Sequence, residues 1–251
     1  QMCIRDSLYI AVFFGLYVLV LYLIVKVLSA VLKLNSAKAT TLNNSVLFFN
    51  SGNYGAPVND IVFKGDALAM SAQVIVLTLQ NLFTFTYGIF AIQSVQVGKL
   101  KALLGYFKMP ILYALVLAII FNYANLPIPM FAWTPLNYLA QAMIPIALIL
   151  LGAQIARFKF TFKWTSAYFY IIIRLIIGPI IALGIIYVLG FHGIIAQALF
   201  IASAMPTSVN SSVIAQEYDN YPELAAQLVF ISTLLSAITV VAVIYLSQII
   251  F

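Results

Sequence analysis

The sequence predicts an all-α, polytopic membrane protein, and three observations carry that prediction. The 251 residues are 65% hydrophobic and only 7% charged, with a mean hydropathy of +1.10, far from the roughly half-apolar, quarter-charged usage of soluble domains. Apolar runs recur along the whole chain, each near the ~20 residues that carry a helix across about 30 Å of hydrocarbon. Two of the runs hold helix breakers and polar side chains at their centre. Barrel strands would be ~10-residue alternating segments, whereas residues 8–32 and 224–251 are apolar on every face.

Eight spans follow in order: 8–32, 41–63, 67–93, 110–123, 135–156, 165–189, 193–218 and 222–250. Residues 1–7 run polar into the first span without an initiator Met or a cationic leader, and read as a non-native or disordered N-terminus. Lys33 and Lys38, then Lys99, Lys101 and Lys108, then Arg157, Lys159 and Lys163 fall in alternate connections on one side. Basic loops mark the cytoplasmic side, so both termini of the chain are expected outside, in a plasma membrane such as the bacterial inner membrane. Glu217, Asp219 and Glu223 make one loop on the cytoplasmic side acidic, which weighs little because acids contribute little to orientation. Residues 95–109, mixed basic and apolar, read as an interfacial linker. It divides residues 8–94, with three spans, from residues 110–251, with five.

The second span contains Asn50-Ser51-Gly52-Asn53-Tyr54-Gly55-Ala56-Pro57, and the seventh contains Met205-Pro206-Thr207-Ser208-Val209-Asn210-Ser211-Ser212. At the helical rise, both interruptions fall about 18 to 20 Å from the start of their spans, on opposite faces, and so near the midplane. Four spans lie between them, so they run antiparallel, as two inverted five-helix repeats require. By that repeat logic about 40 residues, or two helices, precede this chain.

Broken backbone at the midplane exposes N–H and C=O groups that hydrocarbon cannot satisfy. Each second half-helix points its positive end inward, where an anion is stabilised. Asn50, Asn53, Thr207, Ser208, Asn210 and Ser211 add neutral donors and acceptors able to hold a carboxylate and release it. Any one of them could equally bond a neighbouring helix; the matched pair of motifs points to a binding site, with Asn53 and Asn210 foremost. Arg174 lies about 16 Å deep at the helical rise. It reads evenly as a charge partner for an anion or as an anchor for the carbonyls of a broken helix. Gln73, Gln80, Asn81 and Gln141 are explained by interhelical bonding and stay outside the site.

Other classes fit poorly. No carboxylate reaches the midplane, against a carboxylate-based cation antiporter. One histidine, His192, with no HExxH or GxSxG motif, offers no enzyme, and a single cysteine, Cys3, offers neither disulfide nor metal cluster. No cofactor is called for. The net charge of +6 sits at helix ends rather than in a nucleic-acid-binding patch. A passive structural protein has no use for two matched breaks.

Residues 50–57 (NSGNYGAP), 144–153 (IPIALILLGA) and 205–212 (MPTSVNSS) resemble the auxin efflux carrier family, including bacterial malate- and malonate-permease-like members. The resemblance implies ten helices in two inverted repeats, of which these spans are the third to tenth. It implies substrate contact at Asn53, Pro57, Pro206 and Asn210, transport of small organic anions by alternating access, and a homodimer. The sodium-coupled bile-acid symporter group shares crossed broken helices and is the alternative carrier; an inactive fragment or a non-transporting membrane protein is the other.

Overall fold

The structure is a computed structural model that describes residues 4–98, 110–124, 126–156 and 166–251. Every regular element among them is helical: α1 (Ile4–Val31), α2 (Ser36–Leu47), α3 (Ala56–Phe63), α4 (Ala67–Phe83), α5 (Ile89–Val97), α6 (Pro110–Tyr123), α7 (Met130–Ala156), α8 (Ala167–Ile172), α9 (Gly178–Leu189), α10 (Gly193–Ser203), α11 (Val209–Glu217) and α12 (Pro222–Ile250). Single π turns join α4 to α5 (Thr84–Gly88) and α8 to α9 (Ile173–Ile177), and a third (Ser51–Gly55) leads into α3. Four continuous stretches among the described residues, Ser7–Val31, Ala67–Val95, Ala167–Leu189 and Pro222–Ile250, are long and apolar enough to cross a bilayer. The all-α, polytopic membrane fold expected from composition is the fold observed.

Helix ends follow local chemistry. α1 stops where Lys33 turns left-handed (φ 49°) and the Leu34 N–H reaches back to the Ser29 carbonyl at 3.1 Å, a Schellman closure that satisfies an orphan carbonyl. α9 closes in the same way at Gly190 (φ 70°), with the Phe191 N–H on the Ile186 carbonyl at 3.1 Å. Asn35 caps α2 by accepting the Lys38 N–H at 2.8 Å, and Asp66 caps α4 by accepting the Leu68 and Ala69 N–H groups.

Several expected boundaries shift, three of them for a structural reason. The fifth span begins at Met130 rather than at residue 135, because the Pro129 carbonyl accepts the Ala132 and Trp133 N–H groups and starts the helix earlier. The third span runs on through its π turn to Val97 and stops before Gly98 (φ 83°). The first break lies at Phe48–Asn50, ahead of the glycines and proline expected to cause it. Residues 51–55 are wound as a π turn, and Pro57 sits in the first turn of α3, where a missing N–H costs nothing. Residues 99–109 of the expected linker, with Lys99, Lys101 and Lys108, lie outside the described residues, as do Arg157, Lys159 and Lys163.

The core gathers where α1, α2, α4, α9 and α10 meet, around buried Tyr17, Leu21, Leu47, Phe48, Ile186 and Leu199. One close approach depends on glycine. A Cβ at Gly55 would stand 2.6 Å from the Gln73 Nε2 atom, so a larger residue there displaces the amide that α4 sends to the first break.

Candidate functional site

The two interrupted helices meet at their breaks. Phe49 and Thr207 form an isolated antiparallel bridge, in which the Asn50 N–H donates to the Pro206 carbonyl at 2.8 Å and the Ser208 N–H to the Phe48 carbonyl at 2.7 Å. Backbone diverted from the helical ladder is thereby paired across the fold, as a low-dielectric surrounding demands.

Breaking α2 orphans its last carbonyls, and each finds a specific partner. The Asn44 carbonyl keeps the Phe48 N–H at 2.9 Å. The Ser45 carbonyl accepts the Thr207 hydroxyl at 2.8 Å, the Val46 carbonyl accepts Arg174 Nη1 at 3.0 Å, and the Leu47 carbonyl accepts Gln80 Nε2 at 3.4 Å. Beyond the break, Gln73 Nε2 donates to the Ser51 carbonyl at 2.6 Å. On the partner helix, the Thr207 N–H has left the ladder for the Ser232 hydroxyl of α12 at 3.2 Å.

Arg174 is fully buried in the π turn between α8 and α9. Besides Val46, its Nη2 donates to the Tyr17 hydroxyl at 2.6 Å and to the Ser203 carbonyl. Val46 and Ser203 stand at the C-terminal ends of α2 and α10, so one guanidinium lies between the negative ends of two half-helices. The Phe49 and Tyr17 rings lie 5.0 and 5.7 Å from its central carbon, and the quadrupoles of these rings favour the cation. Gly178 allows the arrangement, since a Cβ there would stand 2.9 Å from the Tyr17 hydroxyl. Of the two readings open for Arg174, the geometry carries the anchor of broken-helix carbonyls.

The structure brings most of the expected site residues to the bridge and separates their tasks. Asn50 and Ser208 are caps: the Asn50 side chain accepts the Asn53 N–H at 3.2 Å, and the Ser208 hydroxyl accepts the Asn210 N–H at 3.2 Å. Thr207 and Ser211 direct their hydroxyls to backbone, Ser211 to the Ser208 carbonyl at 2.8 Å. Pro206 contributes its carbonyl to the bridge, while Pro57 lies apart and exposed. Asn53 and Asn210, each in the first turn past a break, are half-buried and make no side-chain hydrogen bond among the described residues.

Four residues hold this centre without having been placed in it from sequence: Tyr17, Gln73, Gln80 and Ser232. Gln73 and Gln80 are seven residues apart, two turns of one helix, so their shared face was a usable signal. Tyr17, within an uninterrupted apolar run, offered none.

Residues 2–245 match the membrane transport protein family. An uncharacterized transporter of Methanothermobacter thermautotrophicus is 30% identical over 209 residues, covering 82% of this chain and 67% of the relative. The uncharacterized transporter YfdV of Escherichia coli is 27% identical over 207 residues, 79% of this chain and 65% of the relative. A Rhizobium meliloti protein named "Putative malonate transporter" is 30% identical over 112 residues, 44% of this chain and 35% of the relative. The matches thus span about two-thirds of the length of the first two relatives. A family match running over nearly the whole sequence, on a fold whose broken helices are clasped at their interruptions, makes this chain a member of the membrane transport protein family, the auxin efflux carrier family that its motifs resemble.

Proposed function

We propose that the parent protein carries small organic anions, carboxylates such as malate, malonate or an auxin-like acid, by alternating access about the bridge between the two breaks. The observation that carries this reading is the pair of amides, Asn53 and Asn210, unpartnered among the described residues, each in the first turn beyond a break that is tied to the other. The positive ends of the second half-helices and their neutral amides suit a carboxylate that must be bound and released. Asn50, Thr207, Ser208, Ser211, Pro57 and Pro206 shape the backbone around it, and Arg174 adds a fixed positive field without touching the cargo. The malonate in the name of the Rhizobium meliloti relative supports a short carboxylate. The basic connections favour a cytoplasmic Lys33–Lys38 side, and a homodimer with an inverted-repeat scaffold completes the reading.

Uptake of radiolabelled malonate, malate and indole acids into proteoliposomes holding the full-length parent tests it, with and without sodium. Saturable uptake is expected without sodium, reduced at least about tenfold by Asn53→Ala with Asn210→Ala, as loss of two polar contacts to a charged ligand implies. Uptake unchanged in the double variant removes the site assignment. Strict sodium dependence turns the reading to the sodium-coupled alternative.

A further inference from the structure

A cavity of about 700 Å³ opens between α1, α2 and α5, on the same side of the bridge as the Lys33–Lys38 connection. Lys26 is the one charged residue in its lining. Its ammonium lies 5.5 Å from the centre of the Tyr22 ring and has no carboxylate partner among the described residues. Asn43 and Asn44 also line the cavity. Asn43 accepts the Ser29 hydroxyl on its Oδ1 at 2.9 Å, leaving its Nδ2 donors without a partner among the described residues. Asn44 is 2% exposed, and both polar atoms of its side chain are covered and unbonded, a condition that costs about 1–3 kcal/mol per group unless something fills it.

We infer that this cavity is an anion-binding vestibule that holds the cargo's carboxylate before it reaches the bridge. The inference rests on the carrier reading and adds a second station to it. Lys26 is exposed to the cavity with no carboxylate facing it among the described residues, which favours a counter-anion there, and the Asn43 amide beside it gives a carboxylate a hydrogen bond as well as charge. The vestibule also connects to the bridge. Asn44 precedes Phe48 by four residues, roughly 6 Å along the helix. Its carbonyl accepts the Phe48 N–H, and the Phe48 carbonyl accepts Ser208. A ligand held against this turn of α2 therefore acts on the last turn before the first break.

Two readouts test this in the full-length parent in proteoliposomes. The first is uptake of labelled malonate by Lys26→Gln, Lys26→Arg and Asn44→Leu. The second is the rate at which a methanethiosulfonate reagent labels Ala39→Cys, a lining position that leaves Lys26 in place, in a parent otherwise freed of cysteine, with malonate or with chloride present. A KM raised about tenfold or more in Lys26→Gln and Asn44→Leu, restored by Lys26→Arg, with labelling slowed by malonate and not by chloride, is the expected result. Normal KM in Lys26→Gln with no protection, on a protein that still transports, overturns the vestibule and leaves the carrier reading intact; it is also what a lysine merely extending to the headgroups gives. Protection by chloride alone overturns the carboxylate assignment. No uptake by the unsubstituted protein, with no protection of the cysteine variant, overturns both readings.

Discussion

Arg174 shows how a membrane protein keeps a charge in its interior. No carboxylate faces it among the described residues; its field is balanced by the carbonyls of Val46 and Ser203 and by the Tyr17 hydroxyl. Those carbonyls lost their helical donors when the two helices were interrupted, since the Asn50 N–H turned to Pro206 and the Thr207 N–H to Ser232. Arg174→Met fills the volume and leaves both carbonyls unbonded, which costs about 3 kcal/mol or more. The expected outcome is a large drop in the melting temperature of detergent-purified protein, with Arg174→Lys intermediate because an ammonium lacks the planar fork. A melting temperature unchanged in Arg174→Met would remove the anchoring role. Depth along the sequence marks Arg174 but does not choose between its two roles, because the choice depends on carbonyls 128 and 29 residues away in sequence.

At the scale of elements, α4 is the splint of the first break. Gln73 and Gln80 bond Ser51 and Leu47, one on each side of Phe48–Asn50, and Gly55 lets the helix come close enough to do so. Gly55→Ala pushes the Gln73 amide away, so it and Gln73→Ala remove one and the same hydrogen bond. Each is expected to cost about 1 kcal/mol, and the double variant less than the sum of the singles by a measurable coupling. Strict additivity in denaturant or thermal titrations would show that the two residues act independently. The helices themselves were legible from apolar run lengths. The break was displaced by several residues because Gly and Pro suggested where the chain could yield, whereas pairing with Thr207 decided where it did.

For the whole molecule, the bridge ties the two interrupted helices into one body. The Asn50 and Ser208 amides bond across the fold rather than within a helix, so their protection reports long-range pairing and not local winding. Hydrogen exchange of the protein in lipid nanodiscs is expected to find both amides protected to a similar degree, with both losing protection together in Arg174→Met. Fast exchange at either amide alone would mean that the breaks open separately. In the carrier proposed above, the clasped pair moves as one relative to other helices, because bonds of 2.7 and 2.8 Å in a medium without water are costly to open.

What the sequence determined by itself was set by solvent. A chain with so few charges and such apolar lengths must be helical in a bilayer, and polar, proline-bearing motifs inside two spans had to be interruptions. The matched pair of motifs also singles out Asn53 and Asn210 as candidates for a binding site. The tertiary structure alone decided which polar groups were used up. Asn50 and Ser208 became caps, Thr207 and Ser211 turned to backbone, and Arg174, Gln73 and Gln80 took the carbonyls that the breaks released. Hydropathy depends on a residue's own transfer from water and can be read along a line. Hydrogen-bond satisfaction depends on what arrives from elsewhere in the chain, and is settled only when the helices meet.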